Sequence, residues 1–145
     1  MMAADRIHVL YEAPVSKNLW QRMHWAKRGA IKKRWERDIW MAVNGQPRLP
    51  RPAARAEVTP IVYWGKPGPL PDFHNLEMAH EVVADGLVIA GMLKDDSKGQ
   101  YIAERIQVLR APRGETRTEI HMHFIYGDDP EAMRGWAEAI AERVS

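Results

Sequence analysis

The most apolar periodic stretch of the chain runs from Leu76 to Ala90, and acidic residues bracket it at both ends. Leu76, Ala79, Val83, Leu87 and Ala90 recur at helical spacing, so the segment is expected to be a helix laid against other apolar structure. Asp72 stands just before it, in Pro71-Asp72-Phe73-His74-Asn75-Leu76, and Asp95 and Asp96 just after it, in Leu93-Lys94-Asp95-Asp96. A helix of about sixteen residues spans roughly 24 Å, so these ends would normally lie far apart. They meet only if the chain doubles back after Gly91, or if Asp96 leads into a strand beside the helix start. A cluster formed in that way would offer the oxygen ligands that Mg²⁺ takes.

With 145 residues the chain is expected to form one domain, residues 1–145, large enough for a real core. The absence of cysteine excludes disulfides, zinc-thiolate sites and thiol nucleophiles. The N-terminus has no apolar leader and the longest apolar run, Gly86 to Leu93, is too short to span a bilayer, so a soluble, cytoplasmic protein is expected. The net charge of +2 conceals an asymmetry. Residues 1–55 carry twelve Lys and Arg against four acids, whereas the remainder holds nine basic and fifteen acidic side chains. The first part suits a polyanion and the second suits cations, although a basic helix can also serve only solubility.

The pattern predicts the order β-α-β-α-β-β-α, a mixed α/β domain with a four-stranded sheet. Strands are expected at Ile7–Tyr11 and Ala56–Trp64, the latter at an edge or bulged because of Pro60. Ile31, Trp35, Ile39 and Ala42 place a helix over Ala30–Val43, ended by Asn44-Gly45. Lys17 to Gly29 reads equally as an early helix or an ordered loop, with Gly29 favouring a break. Pro47 to Pro52 is a linker. Tyr101–Arg110 and Thr118–Tyr126 are expected to pair as a hairpin around Pro112-Arg113-Gly114, and Asp128-Asp129-Pro130-Glu131 to open a last helix.

Each candidate functional residue also has a plain structural role. Asp72 can cap a helix N-terminus, and Asp95-Asp96 can form a polar turn before Ser97. His121 and His123 share a strand face and can chelate a metal or simply face solvent. Trp20, Trp25, Trp35 and Trp40 can stack on bases, though Trp35 lies on the apolar stripe of its helix and is expected in the core. No Gly-rich phosphate loop, Ser-His-Asp pattern or His-Glu-x-x-His motif is present.

Three segments taken together are more specific: Ser16-Lys17-Asn18-Leu19-Trp20-Gln21-Arg22-Met23-His24-Trp25, then Asp72-Phe73-His74-Asn75-Leu76, then Asp85-Gly86-Leu87-Val88-Ile89-Ala90-Gly91-Met92-Leu93-Lys94-Asp95-Asp96. In this order and spacing the chain, from Ile7 to about Phe124, resembles the RusA-like Holliday junction resolvases, most closely the branch found in phages and prophages. Their pattern is D-x-D-N-L, a helix, D-[GA]-L-x-x-A-G-x-[LW]-x-D-D and two strands. The resemblance implies a homodimeric, Mg²⁺- or Mn²⁺-dependent endodeoxyribonuclease that cuts four-way DNA junctions. It maps the family's catalytic carboxylates onto Asp72 and Asp96, with Asp95 beside them as a metal ligand; His74, in the place of the second acid, is expected to share the catalytic and metal-binding role, and Glu81 to supply a further acidic ligand. With such a substrate, the basic N-terminal segment is expected to contact DNA through Lys17, Asn18, Arg22, His24, Lys27 and Arg28.

Two departures stand out. His74 occupies the position of the second acid, and the family's helix lysine is missing where Met78, His80 and Glu81 stand. An imidazole is a softer ligand that suits Mn²⁺ better than Mg²⁺. The alternative expectation is therefore a DNA-binding protein on the same fold with weakened catalysis.

Overall fold

The computed structural model describes residues 3–97 and 99–127. Their elements, in chain order, are β1 (Ala3–Leu10), α1 (Lys17–Arg22), α2 (Trp25–Asn44), β2 (Arg55–Trp64), a 3₁₀ turn (Phe73–Leu76), α3 (Met78–Ile89), β3 (Tyr101–Ala103), β4 (Gln107–Arg110) and β5 (Arg117–Ile125). The fold is mixed α+β. The expected last helix lies outside the described residues.

Strict alternation in β2 and β5 determines which face of the sheet is covered. Ala56, Val58, Pro60 and Val62 of β2 are buried on one face together with Thr118, Ile120, Met122 and Phe124 of β5. Helices α2 and α3 cover that face with Trp35, Ile39 and Val43 from one and Val82, Val83 and Leu87 from the other. Full burial of side chains of this size contributes about 1.5–3 kcal/mol each. The opposite face carries Glu57, Thr59, Tyr63, Glu119, His121 and His123, all partly accessible. Helices α2 and α3 approach closely at Gly86, where an added Cβ would lie 3.3 Å from the Cβ of Ile39.

The sheet corrects several expectations. It has five strands among the described residues, not four, because the segment expected as one strand is broken into β3 and β4. These two do not form a hairpin with β5. Both pair in parallel with β2, with Ala56 opposite Tyr101 and Ile61 opposite Gln107. Strand β5 lies antiparallel on the other side of β2 and pairs outward with β1. The turn at Pro112–Gly114 is present, but the end of β2 inserts into it. Gly114 N donates to Gly65 O at 2.9 Å, and Gly65 N donates to Thr116 Oγ1 at 3.0 Å. An added Cβ at Gly65 would lie 2.5 Å from Pro112 O, so only glycine fits there.

Strand β2 is thus interior, and Pro60 is neither at an edge nor alone in a bulge. On the β3/β4 side the register skips Thr59 and Pro60, so the residue without an N–H falls where that neighbour is interrupted. Strand β1 runs Ala3–Leu10 rather than Ile7–Tyr11, since pairing with β5 extends it toward the N-terminus. Helix α2 absorbs Gly29. The break falls instead at Met23-His24, where His24 Nδ1 accepts from Ala26 N at 3.2 Å and caps the longer helix. Before α1, the Ser16 hydroxyl accepts from Leu19 N. No helix among the described residues is long and apolar enough to cross a membrane.

Candidate nucleic-acid interface and acidic positions

Asp72 caps the 3₁₀ turn, its Oδ1 accepting from His74 N at 2.9 Å while its carbonyl accepts from Asn75 N at 3.0 Å. It lines a recess of about 570 Å³ with Leu70, Phe73, Arg105 and Ile106. His74 points into a different recess, shared with Lys17, Arg28, Glu77 and Glu81. Its Nδ1 lies 3.7 Å from Glu77 Oε1, and Glu81 Oε2 accepts from the buried Trp20 indole N–H at 3.3 Å. Asp95 and Asp96 line a third recess with Lys32, Glu36 and Asp85. Asp95 Oδ1 accepts from Ser97 N at 2.8 Å, and the hydrogen bonds from the Ser97 side chain and backbone hold its carboxyl below the usual carboxylate range.

The chain does double back after Gly91, which adopts φ 77°. The residues that return to the start of α3 are not Asp95 and Asp96, however, but Tyr101 to Arg105. His80 on α3 records the return: its Nε2–H donates to Glu104 O and its Nδ1 accepts from the Tyr101 hydroxyl, both at 2.7 Å. A carbonyl can only accept, which assigns the proton to Nε2. Twelve helical residues separate the recess of Asp72 from that of Asp95 and Asp96, roughly 18 Å of helix. Among the described residues no group of three or more His, Asp or Glu is placed to hold a metal ion. Within one chain, Asp72 and the Asp95–Asp96 pair therefore do not form a joint Mg²⁺ or Mn²⁺ centre.

The cation that arrives beside Asp72 is Arg105, whose guanidinium lies 4.2 Å over the Phe73 ring. Sequence reasoning missed it. The two residues meet only because β3 and β4 run parallel to β2, and no local pattern announces that. Beside this recess Arg117 lies over Tyr63 at 3.7 Å and Lys66 over Trp64 at 5.1 Å, so this end of the sheet interleaves cations with aromatic rings.

The basic segment behaves differently from the acids. From Ala13 to Trp35 the sequence holds seven Lys and Arg and no Asp or Glu. Folding sorts them. Lys32 is tied to Asp85 at 2.7 Å, and Arg34 to Glu12 at 2.6 Å. Lys17, Arg22, Lys27 and Lys33 are exposed. With Arg28, they form no ion pair among the described residues. Arg22 Nε donates only to the Asn18 carbonyl, at 3.2 Å, which turns its charge along α1. Arg28 donates to Trp20 O at 3.1 Å and lies over the Trp20 ring. Of the four tryptophans in this region, Trp20 and Trp35 are buried, whereas Trp25 and Trp40 are 78% and 49% exposed. His121 and His123 face the open side of the sheet and are engaged by Glu119 at 3.0 Å and Asp5 at 2.5 Å.

No family model matches the chain, and no curated protein does. Among solved structures it is similar to CetZ1 from Haloferax volcanii, described as a GDP-bound monomer, with 13% identity and a TM-score of 0.35. The match covers 96% of this chain and 34% of that one, so the chain spans about a third of the length of that protein.

Proposed function

We propose that this chain is a branched-DNA-binding protein of the RusA-like type that engages DNA through the face formed by α1 and the start of α2. The observation that carries this reading is the sorting of the basic segment. Lys17, Arg22, Lys27 and Arg28 form no ion pair among the described residues, and they lie in a stretch whose sequence contains no acid. Such a surface suits phosphates, whose counterions it displaces on binding. Asn18, at the second position of α1, and His24, at the cap of α2, sit between these cations. A homodimer matched to a two-fold junction accompanies this reading.

The second reading is a Mg²⁺- or Mn²⁺-dependent junction endonuclease. It is favoured by Asp72, which is exposed in a recess that also holds Arg105, a cation able to take over phosphate contacts from the missing helix lysine. Purified protein incubated with a labelled four-way junction and either ion separates the two. Retention of intact junction with either ion supports the binding protein. Symmetric nicking that Asp72→Asn and Asp96→Asn both abolish selects the nuclease.

A further inference from the structure

Trp25 is the first residue of α2 and lies 78% exposed, at the centre of the acid-free segment. It belongs to neither core-facing stripe. Helix α1 buries Trp20, and α2 buries Trp35, Ile39, Ala42 and Val43. A broad indole left in water contributes nothing to folding, and at a helix start it is not a favoured residue type. Its ring is nevertheless held in place. The His24 imidazole stacks on it with centroids 5.5 Å apart and planes 30° from parallel. His24 is in turn fixed as the cap of α2 through its bond from Ala26 N. Exposed Arg22 lies two positions before this pair and exposed Lys27 two after.

An aromatic face, oriented by a capped neighbour and flanked by cations that form no ion pair among the described residues, has the composition of a single-strand stacking site. There cations track the backbone and rings take successive bases. We propose that Trp25, supported by His24, is a platform on which an unpaired nucleobase at a DNA branch point stacks. Arg22 and Lys27 hold the adjoining phosphates. The inference rests on the nucleic-acid reading above and adds to it a reason for preferring branched over linear DNA. A base enclosed in a continuous duplex presents no free face to an indole, whereas a base that borders an opened branch point does. Charge argues for this occupant over a second copy of the chain, since two copies meeting here would bring like-charged Lys17, Arg22 and Lys27 together.

The test compares wild type, Trp25→Ala, Trp25→Phe and His24→Asn for binding to a four-way junction, an oligothymidylate and a linear duplex. Trp25→Ala is expected to weaken the junction and oligothymidylate complexes roughly 5- to 150-fold and the duplex complex by less than about twofold, the range set by one stacked base. Trp25→Phe, which keeps a flat ring, restores most of the loss. His24→Asn, which keeps a capping side chain but removes the supporting ring, falls between. Equal losses on all three probes, or none on oligothymidylate, overturn the platform. So does a sedimentation shift of the free protein on Trp25→Ala, which would assign the indole to self-association. If wild type binds none of the probes, the nucleic-acid reading itself fails. If wild type binds all three and Trp25→Ala changes nothing, only the platform does.

Discussion

Neutralising cations that form no ion pair among the described residues should change DNA binding in a way that neutralising paired ones does not. The perturbation is the triple variant Lys17→Ala, Arg22→Ala, Lys27→Ala, set against a control that removes Lys32 and Arg34. The control residues already spend their charge on Asp85 and Glu12. Each phosphate contact on duplex DNA adds about 0.9 to the slope of log affinity against log salt, so three lost contacts flatten it by about 2.7. Between about 50 and 200 mM salt the wild type should therefore lose about 40-fold more affinity than the triple variant. The control should leave the slope nearly unchanged. Its effect should appear as a small stability loss of about 0–1 kcal/mol per surface pair. Fluorescence anisotropy of a labelled junction across a salt series measures both slopes. The sorting argument is refuted if the control flattens the slope as much as the triple variant, or if the triple variant leaves it unchanged.

Further expectations follow from single positions. Asp72→Asn should keep the turn at Phe73–Leu76, because an amide oxygen still caps His74 N, while removing one charge that repels phosphate; junction affinity in anisotropy should hold or rise, and a loss would place Asp72 in a favourable contact. Burial holds the His80 imidazole below its ordinary pKa, so the unfolded chain takes up the proton more readily than the folded one. Stability is accordingly full above the unfolded value of 6.5 and falls as pH drops from there toward the folded value, with His8, lowered chiefly by burial, adding in the same direction. Denaturant melts between pH 7.5 and 5 should show this slope, and His80→Gln should flatten it in part; a pH-independent wild type would contradict the burial argument. Gly65→Ala forces a Cβ to 2.5 Å from Pro112 O and should cost about 1–3 kcal/mol in a chemical melt, whereas Gly114→Ala, where nothing lies within 4 Å, meets only the strain of φ 83°.

How much of this protein is legible in its sequence depends on the range of the interactions concerned. The amphipathic periods of α2 and α3, the alternation of β2 and β5 and the turn at Pro112–Gly114 are local properties, and each was readable from residues within a few positions of one another. The burial of Trp35 on its stripe, the capping role open to Asp72 and the charge of the N-terminal segment were readable for the same reason. Partner choice was not. The sequence-adjacent pairing of residues 101–110 with 118–126 is the default expectation, and it was displaced because β2, arriving from far upstream, fills the slot between them. That one insertion puts Pro60 inside the sheet and carries Arg105 to Asp72. It leaves Asp95 and Asp96 at the far end of α3. Ion pairing follows the same rule. Seven like charges along one segment look equivalent in sequence, and only the docking of α2 against α3, and of Glu12 against Arg34, decides which are neutralised and which face outward. Composition and periodicity are set residue by residue, while a site is set by which distant segments the core brings into contact.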